Sequence, residues 1–108
     1  MSEAVLKKID QEVKTNPIIL YVKGTKDFPR CGFSASTIEA FKSLNVPFET
    51  RDVLSDPGLW DHLEDYSHWP TFPQVFIGGK FVGGCDITLE LMENGELKKL
   101  VDQALFKK

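Results

Sequence analysis

Residues 18–22 read Ile-Ile-Leu-Tyr-Val, a short apolar run with no polar alternation. A strand of that kind buries both faces, which is typical of parallel sheets covered on either side. The rest of the chain must therefore supply cover for two faces. Residues 3–14 put Val5, Leu6, Ile9 and Val13 on one helical face, and Asn16-Pro17 stops that helix ahead of the strand. After a polar loop, Ile38, Phe41 and Leu44 mark a second helix, closed by Asn45 and Pro47. Phe48 to Val53 reads as a second strand, and strand–helix–strand makes a right-handed βαβ unit. Ser55 or Asp56 caps a third helix with Pro57 in its first turn and Leu59, Leu63 and Tyr66 facing inward.

The second half reads just as directly. Gln74–Ile77 and Lys80–Gly83 flank Gly78-Gly79, a pair suited to the positive φ of a two-residue hairpin. Counting back from that turn sets Ile77 opposite Lys80, Gln74 opposite Gly83 and Pro73 opposite Gly84, with Cys85 beside Phe72. A helix from an Asp86 cap to Asn94-Gly95 follows, then one with Leu97, Leu100, Val101 and Leu105 on one face. The order αβαβαββαα predicts an α/β chain with a four-stranded mixed sheet flanked by helices, in one domain over residues 1–108.

Charge and cysteine count narrow the function. Thirteen basic against sixteen acidic residues leave a net charge of -3, which argues against a nucleic-acid partner held by bulk electrostatics. No apolar stretch approaches the ~20 residues needed to span a bilayer. Met1-Ser2-Glu3-Ala4 carries neither a basic n-region nor an apolar h-region, so no membrane partner and no secretory leader are expected. The expected location is the bacterial cytoplasm, or an organellar matrix if a transit peptide has been removed. Two cysteines are too few for a disulfide scaffold.

Cys31 falls where the loop after the first strand feeds the second helix. Unpaired backbone N–H groups and the positive helix end favour a thiolate there. Lys23 and Arg30 add to the effect, making Cys31 a nucleophile rather than a small buried hydrophobe. A dithiol oxidoreductase would carry a second cysteine three residues on, where this chain has Ser34. Serine donates a hydrogen bond to a thiolate but cannot resolve a mixed disulfide, so resolution falls to an external thiol or to Cys85.

Trp69-Pro70-Thr71-Phe72-Pro73-Gln74 precedes the third strand. Proline donates nothing to a ladder, so Pro73 belongs at the strand mouth, and the Phe72–Pro73 bond is a candidate cis peptide. A cis bond would turn the backbone of Thr71 and Phe72 outward to meet an extended ligand. Gly83 and Gly84 permit close ligand approach, and Asp86 can accept from a ligand ammonium while capping its helix. His62 and His68 do not make structural zinc spacing with the cysteines and read as surface histidines. Phe41, Phe48, Phe76 and Phe81 read as packing, and Glu96, Lys98, Lys99 and Asp102 as a solvated face.

Four elements stand in order: Lys23-Gly24-Thr25, Cys31-Gly32-Phe33-Ser34, Trp69 to Gln74, and Gly83-Gly84-Cys85-Asp86. Together they resemble the monothiol glutaredoxins of the CGFS class, in the short form found in bacteria and mitochondria. The resemblance implies a thioredoxin-like fold with Pro73 as the cis-proline. It implies that Lys23 binds the glycine carboxylate of glutathione, and that Cys31 is both thiol nucleophile and iron ligand. The backbone of Thr71, Phe72 and Pro73 would pair with the tripeptide's cysteine, while Gly84, Cys85 and Asp86 would hold its γ-glutamyl end. One departure is Trp60, which stands where such proteins usually carry an arginine, so Lys23 is expected to bear more of the carboxylate recognition.

A 2Fe-2S cluster needs four ligands. One well-placed cysteine per chain leads to two chains and two glutathiones around one cluster. The expectation is a homodimer that carries a 2Fe-2S cluster to apo iron–sulfur proteins and pairs with a BolA-like protein, as that family does. The competing expectation is an enzyme, a deglutathionylating oxidoreductase that uses Cys31 as nucleophile, weakly at most.

Overall fold

The computed structural model describes residues 3–106. Met1 and Ser2, which opened the leader reading, lie outside the described residues, as do the last two lysines. Nine elements follow in order: α1 (Glu3–Thr15), β1 (Ile18–Val22), α2 (Gly32–Ser43), β2 (Glu49–Asp52), α3 (Pro57–Ser67), β3 (Gln74–Ile77), β4 (Lys80–Gly83), α4 (Cys85–Glu93) and α5 (Glu96–Phe106). The sheet runs β2-β1-β3-β4, with β1 parallel to β2 and antiparallel to β3, and β3 antiparallel to β4. It is the mixed, four-stranded sheet expected from the element order.

Every residue of β1 is buried. The period of two along the strand sends Ile18, Leu20 and Val22 into a core with Ile38, Phe41, Leu97 and Val101, contributed by α2 and α5. Ile19 and Tyr21 point the other way, into a core with Ile9, Val13 and Leu63 from α1 and α3. Two cores on one central strand explain its lack of alternation. At ~1.5–3 kcal/mol for each fully buried aliphatic or aromatic side chain, this strand anchors both. The Tyr21 hydroxyl donates to Glu12 Oε1 at 2.6 Å, and Arg51 Nε donates to Glu12 Oε2 at 2.8 Å, tying α1 to the sheet. Burial, and then the bond to Glu12, push the Tyr21 phenol well above its usual range.

The structure corrects three local expectations and decides a fourth between its two candidates. The second strand is Glu49–Asp52, shorter than Phe48 to Val53, although both flanking residues are buried. Asp56 rather than Ser55 caps α3, its carboxylate accepting from the Leu59 N–H at 3.2 Å, while the Ser55 hydroxyl donates to the Asp52 carbonyl. The hairpin keeps Ile77 opposite Lys80, but an irregularity between Val75 and Phe76 sets Gly83 opposite Val75, not Gln74. A bulge of this kind adds a residue to one strand and breaks a count made from the turn. Finally, α4 begins two residues earlier than expected from an Asp86 cap. Gly84 is its N-cap, its carbonyl accepting from the Thr88 N–H at 3.1 Å and the Thr88 hydroxyl at 2.8 Å, and Asp86 lies in the first turn. No helix among the described residues is long and apolar enough to cross a membrane.

Candidate functional site

The end of β1 is held by a loop that folds back on itself. The Lys23 N–H donates to Ser34 Oγ at 3.1 Å, and the Arg30 N–H donates to the Lys23 carbonyl at 2.8 Å. Between them the Gly24 N–H donates to Asp52 Oδ1 at 2.9 Å, and Gly24 bridges Pro29. Gly24 has φ +96°, and a Cβ there would lie 2.6 Å from the Phe28 carbonyl oxygen and 2.7 Å from the Arg30 nitrogen. Only glycine lets the loop close this tightly. Closure delivers Cys31 to the N-cap of α2, with extended backbone at φ −149° and ψ 135°.

At that position the sulfur faces helix N–H groups that have no partner within the helix. The Ser34 N–H is the largest influence holding the Cys31 thiol below its usual pKa; partial burial opposes it, and the Phe33 N–H, the Lys23 charge and the Ser34 hydroxyl reinforce it. Ser34 is fully buried, and its oxygen already accepts from the Lys23 N–H, which leaves its own proton for the sulfur. Iodoacetamide alkylation of Cys31 is therefore expected to titrate below the ~8.5 of a free thiol, and Ser34→Ala to move the midpoint upward. An unshifted midpoint in Ser34→Ala would show that its hydroxyl adds nothing. The lowered value also carries a sign for stability. The thiolate's contribution is complete above the unfolded-state pKa and disappears as pH falls through the folded-state value.

A cavity of about 330 Å³ opens beside Cys31. Lys23, Cys31, Thr71, Phe72, Pro73, Gly84, Cys85 and Asp86 all line it, so the residues singled out in the sequence converge on one place. Cys31 is partly exposed and Cys85 is buried; both are free thiols. The Phe72–Pro73 peptide is cis. Three further residues complete the wall, Phe33, Trp69 and Ile87. They are 64%, 37% and 41% exposed, an apolar rim around a thiol. Their positions inside the Cys31 and Trp69 motifs, and one turn into α4, were the signal that could have found them.

Gln74 ends the motif at residues 69–74 and opens β3, and its side chain does more. Completely buried, its Nε2 donates to the carbonyls of Trp69 at 2.9 Å and Thr71 at 3.2 Å, holding the wall segment ahead of Pro73. Gln74→Glu is expected to cost about 2–4 kcal/mol at pH 7, since it buries a carboxylate against two carbonyl oxygens. The new carboxyl's folded-state pKa lies above its unfolded ~4.3, so the loss should shrink as pH falls toward that value. Thermal melts across pH 4.5–7.5 would show it, and a pH-independent penalty would contradict it.

Trp60 sits between core and cavity. It packs against the α1–α3 core, meets the Phe72 ring at 4.8 Å edge-on, and its Nε1 donates to Glu64 Oε1 at 3.0 Å. The Lys23 ammonium lies 5.1 Å from its ring centre. Trp60 thus packs on the core and also touches Phe72 and Lys23, two residues of the cavity wall. His62 Nδ1 lies 2.6 Å from the Gly58 carbonyl in α3, and His68 takes the left-handed C-cap of that helix. Among the described residues no cluster of three His, Cys, Asp or Glu side chains is placed to hold a metal ion.

The strand order, the cis-proline at the mouth of β3 and a low-pKa cysteine at a helix N-cap define a thioredoxin-like thiol protein. More narrowly, the chain belongs to the glutaredoxin family, whose model matches residues 18–82, and with Ser34 in place of a second cysteine it is of the monothiol kind. It is 48% identical over 97 residues to the chloroplastic monothiol glutaredoxin-S7 of Oryza sativa subsp. japonica, covering 90% of this chain and 58% of that one. The chain therefore spans less than two thirds of that chloroplast relative's length. Glutaredoxin 4 of Buchnera aphidicola subsp. Baizongia pistaciae is 46% identical over 97 residues, with 90% of both chains covered. Among solved structures, reduced apo GrxS14 from poplar superposes with a TM-score of 0.84 at 46% identity, covering 95% of this chain and 94% of that one. A buckwheat glutaredoxin–glutathione complex also gives 0.84, at 27% identity, covering 94% and 91%.

Proposed function

We propose that this protein binds glutathione in the cavity beside Cys31 and carries a 2Fe-2S cluster between two copies of the chain, for delivery to apo iron–sulfur proteins. The observation that carries this reading is a single accessible thiol at a helix N-cap in the cavity wall, with serine where a resolving thiol would stand. The buckwheat relative crystallised with glutathione supports the choice of small thiol. In this reading the Lys23 ammonium meets the glycine carboxylate. The backbone of Thr71, Phe72 and Pro73 pairs with the cysteine moiety, and Gly84, Cys85 and Asp86 hold the γ-glutamyl end. Asp86 suits an ammonium, being an acidic residue in the first turn of α4.

The donor set fits a shared cargo. A cluster takes four ligands, commonly thiolates, and Cys85 is buried at the start of α4. One chain thus presents Cys31 alone, and two chains with two glutathiones complete the set. The exposed rim of Phe33, Trp69 and Ile87 is apolar surface that a second copy would cover. Exchangeable glutathione ligands make the cluster transferable. A BolA-like protein is the further partner in this reading, and the bacterial cytoplasm or an organellar matrix its setting.

The same thiolate suits a second reading, since it can attack a protein–glutathione mixed disulfide, take the glutathione onto Cys31 and release the protein thiolate. A second glutathione would then free Cys31 as oxidised glutathione is formed. Anaerobic reconstitution with iron and sulfide, with and without glutathione, separates the two when run beside a deglutathionylation assay. A coloured dimer only with glutathione, and slow turnover, is the expected pair of results. Fast turnover without a cluster would establish the enzyme instead.

A further inference from the structure

Lys23 is pinned through its backbone on both sides, by Ser34 Oγ and by the Arg30 N–H. Its side chain, with four rotatable bonds, is not fixed by those contacts. Among the described residues no carboxylate lies within ion-pair distance of its ammonium. What it meets is the Trp60 ring, 5.1 Å from the centre. That ring is itself immobilised, hydrogen-bonded to Glu64 one turn along α3 and set edge-on against the buried Phe72.

We propose that Trp60 is a positioning residue, whose indole holds the Lys23 ammonium at the cavity wall without neutralising it. A carboxylate in that place would also hold the lysine, but it would cancel the charge and compete with any incoming anion. A π-face attracts the cation through the ring quadrupole and leaves its full charge and outward N–H groups available. The ligand's carboxylate then meets a cation that has already lost part of its rotamer freedom, so less is lost on binding. This rests on the glutathione reading, and it assigns selection for a carboxylate-bearing thiol to the Trp60–Lys23 pair.

The test measures how much Cys31 is carried as a mixed disulfide when the pre-reduced protein is equilibrated in two redox buffers of fixed composition, quenched with acid and read as intact mass without reductant. One buffer contains reduced and oxidised glutathione; the other contains 2-mercaptoethanol and its disulfide, which is neutral. The ratio of the two equilibria is the preference for the carboxylate-bearing thiol. A change in Cys31 reactivity moves both and cancels, and circular dichroism of each variant excludes an unfolded fraction, whose thiol would show no preference. Trp60→Leu, which keeps an apolar side chain against Phe72, is expected to lower this preference about two- to fivefold. Trp60→Phe, which keeps a π-face, should retain at least half of it. In a Lys23→Gln background, Trp60→Leu should cause no further loss, and the whole effect should fade at high salt. An unchanged preference in Trp60→Leu, or the same loss with and without Lys23, would overturn the proposal while leaving glutathione binding in place. No preference in the unsubstituted protein, with Lys23→Gln also silent, would overturn the glutathione reading and this inference together.

Discussion

Cys31→Ser is expected to abolish cluster assembly and to remove the low-pKa thiol, while leaving the fold intact. The side chain is partly exposed at the N-cap of α2, where a serine oxygen can accept from the same helix N–H groups, so the substitution should cost within about 0.5 kcal/mol by the usual scale for surface changes. Function falls because serine's hydroxyl, unlike a thiol, is not deprotonated near neutral pH by neighbouring N–H groups and Lys23, and offers iron no soft anionic ligand. Cys85→Ser makes the contrast. That thiol is buried, so a hydroxyl there should cost about 1 kcal/mol in stability and weaken the cluster at most. Visible absorbance after reconstitution, read beside a thermal melt, separates the two. A stable cluster in the Cys31→Ser protein would remove the ligand assignment.

Gly24→Ala should be the most damaging single methyl group in the loop that carries the site. Its φ of +96° is unfavourable for alanine, and the added carbon would meet backbone atoms of Phe28 and Arg30 at 2.6 and 2.7 Å. Strained backbone and overpacking each cost ~1–3 kcal/mol, so a loss of about 2–5 kcal/mol is expected. The neighbours are backbone and cannot swing aside, so relief requires opening the loop that delivers Cys31. Alkylation of Cys31 should therefore slow as stability falls. Gly95→Ala is the control, with φ +84° but nothing within 4 Å of the added carbon, and about 1 kcal/mol is expected from the backbone alone. Equal losses at the two positions would show that the close approach at Gly24 carries no energy.

How far the chain could be read in advance depended on the range of the interactions. The run at residues 18–22, the Asn-Pro and Asn-Gly stops and the Gly78-Gly79 turn are local signals, and the sheet and five helices follow them. The bulge beside Val75 is different, because a turn reports its own geometry and not the ladder four residues away. The start of α4 departs from its local signal for a related reason. Asp86 is a good capping type, but Gly84 already has the extended backbone and the bonds from Thr88 that a cap requires. The cavity was legible because its residues lie in short motifs at strand ends, where loops gather. Gln74 belongs to one of those motifs and Trp60 stands where the resemblance expects an arginine, but their contacts were not legible. Gln74 reaches wall carbonyls three and five residues back only through the shape of that loop, and Trp60 meets Lys23 only once the chain has folded.

The central claim is that one thiolate per chain, completed by glutathione, holds a cluster between two copies. Native mass spectrometry of the protein reconstituted anaerobically with iron, sulfide and glutathione measures that composition in a single spectrum. The account predicts a species containing two chains, two glutathiones and one 2Fe-2S unit, which falls apart to glutathione-free monomers as the cluster is lost. A cluster-bearing monomer, or a dimer whose mass leaves no room for glutathione, would contradict it.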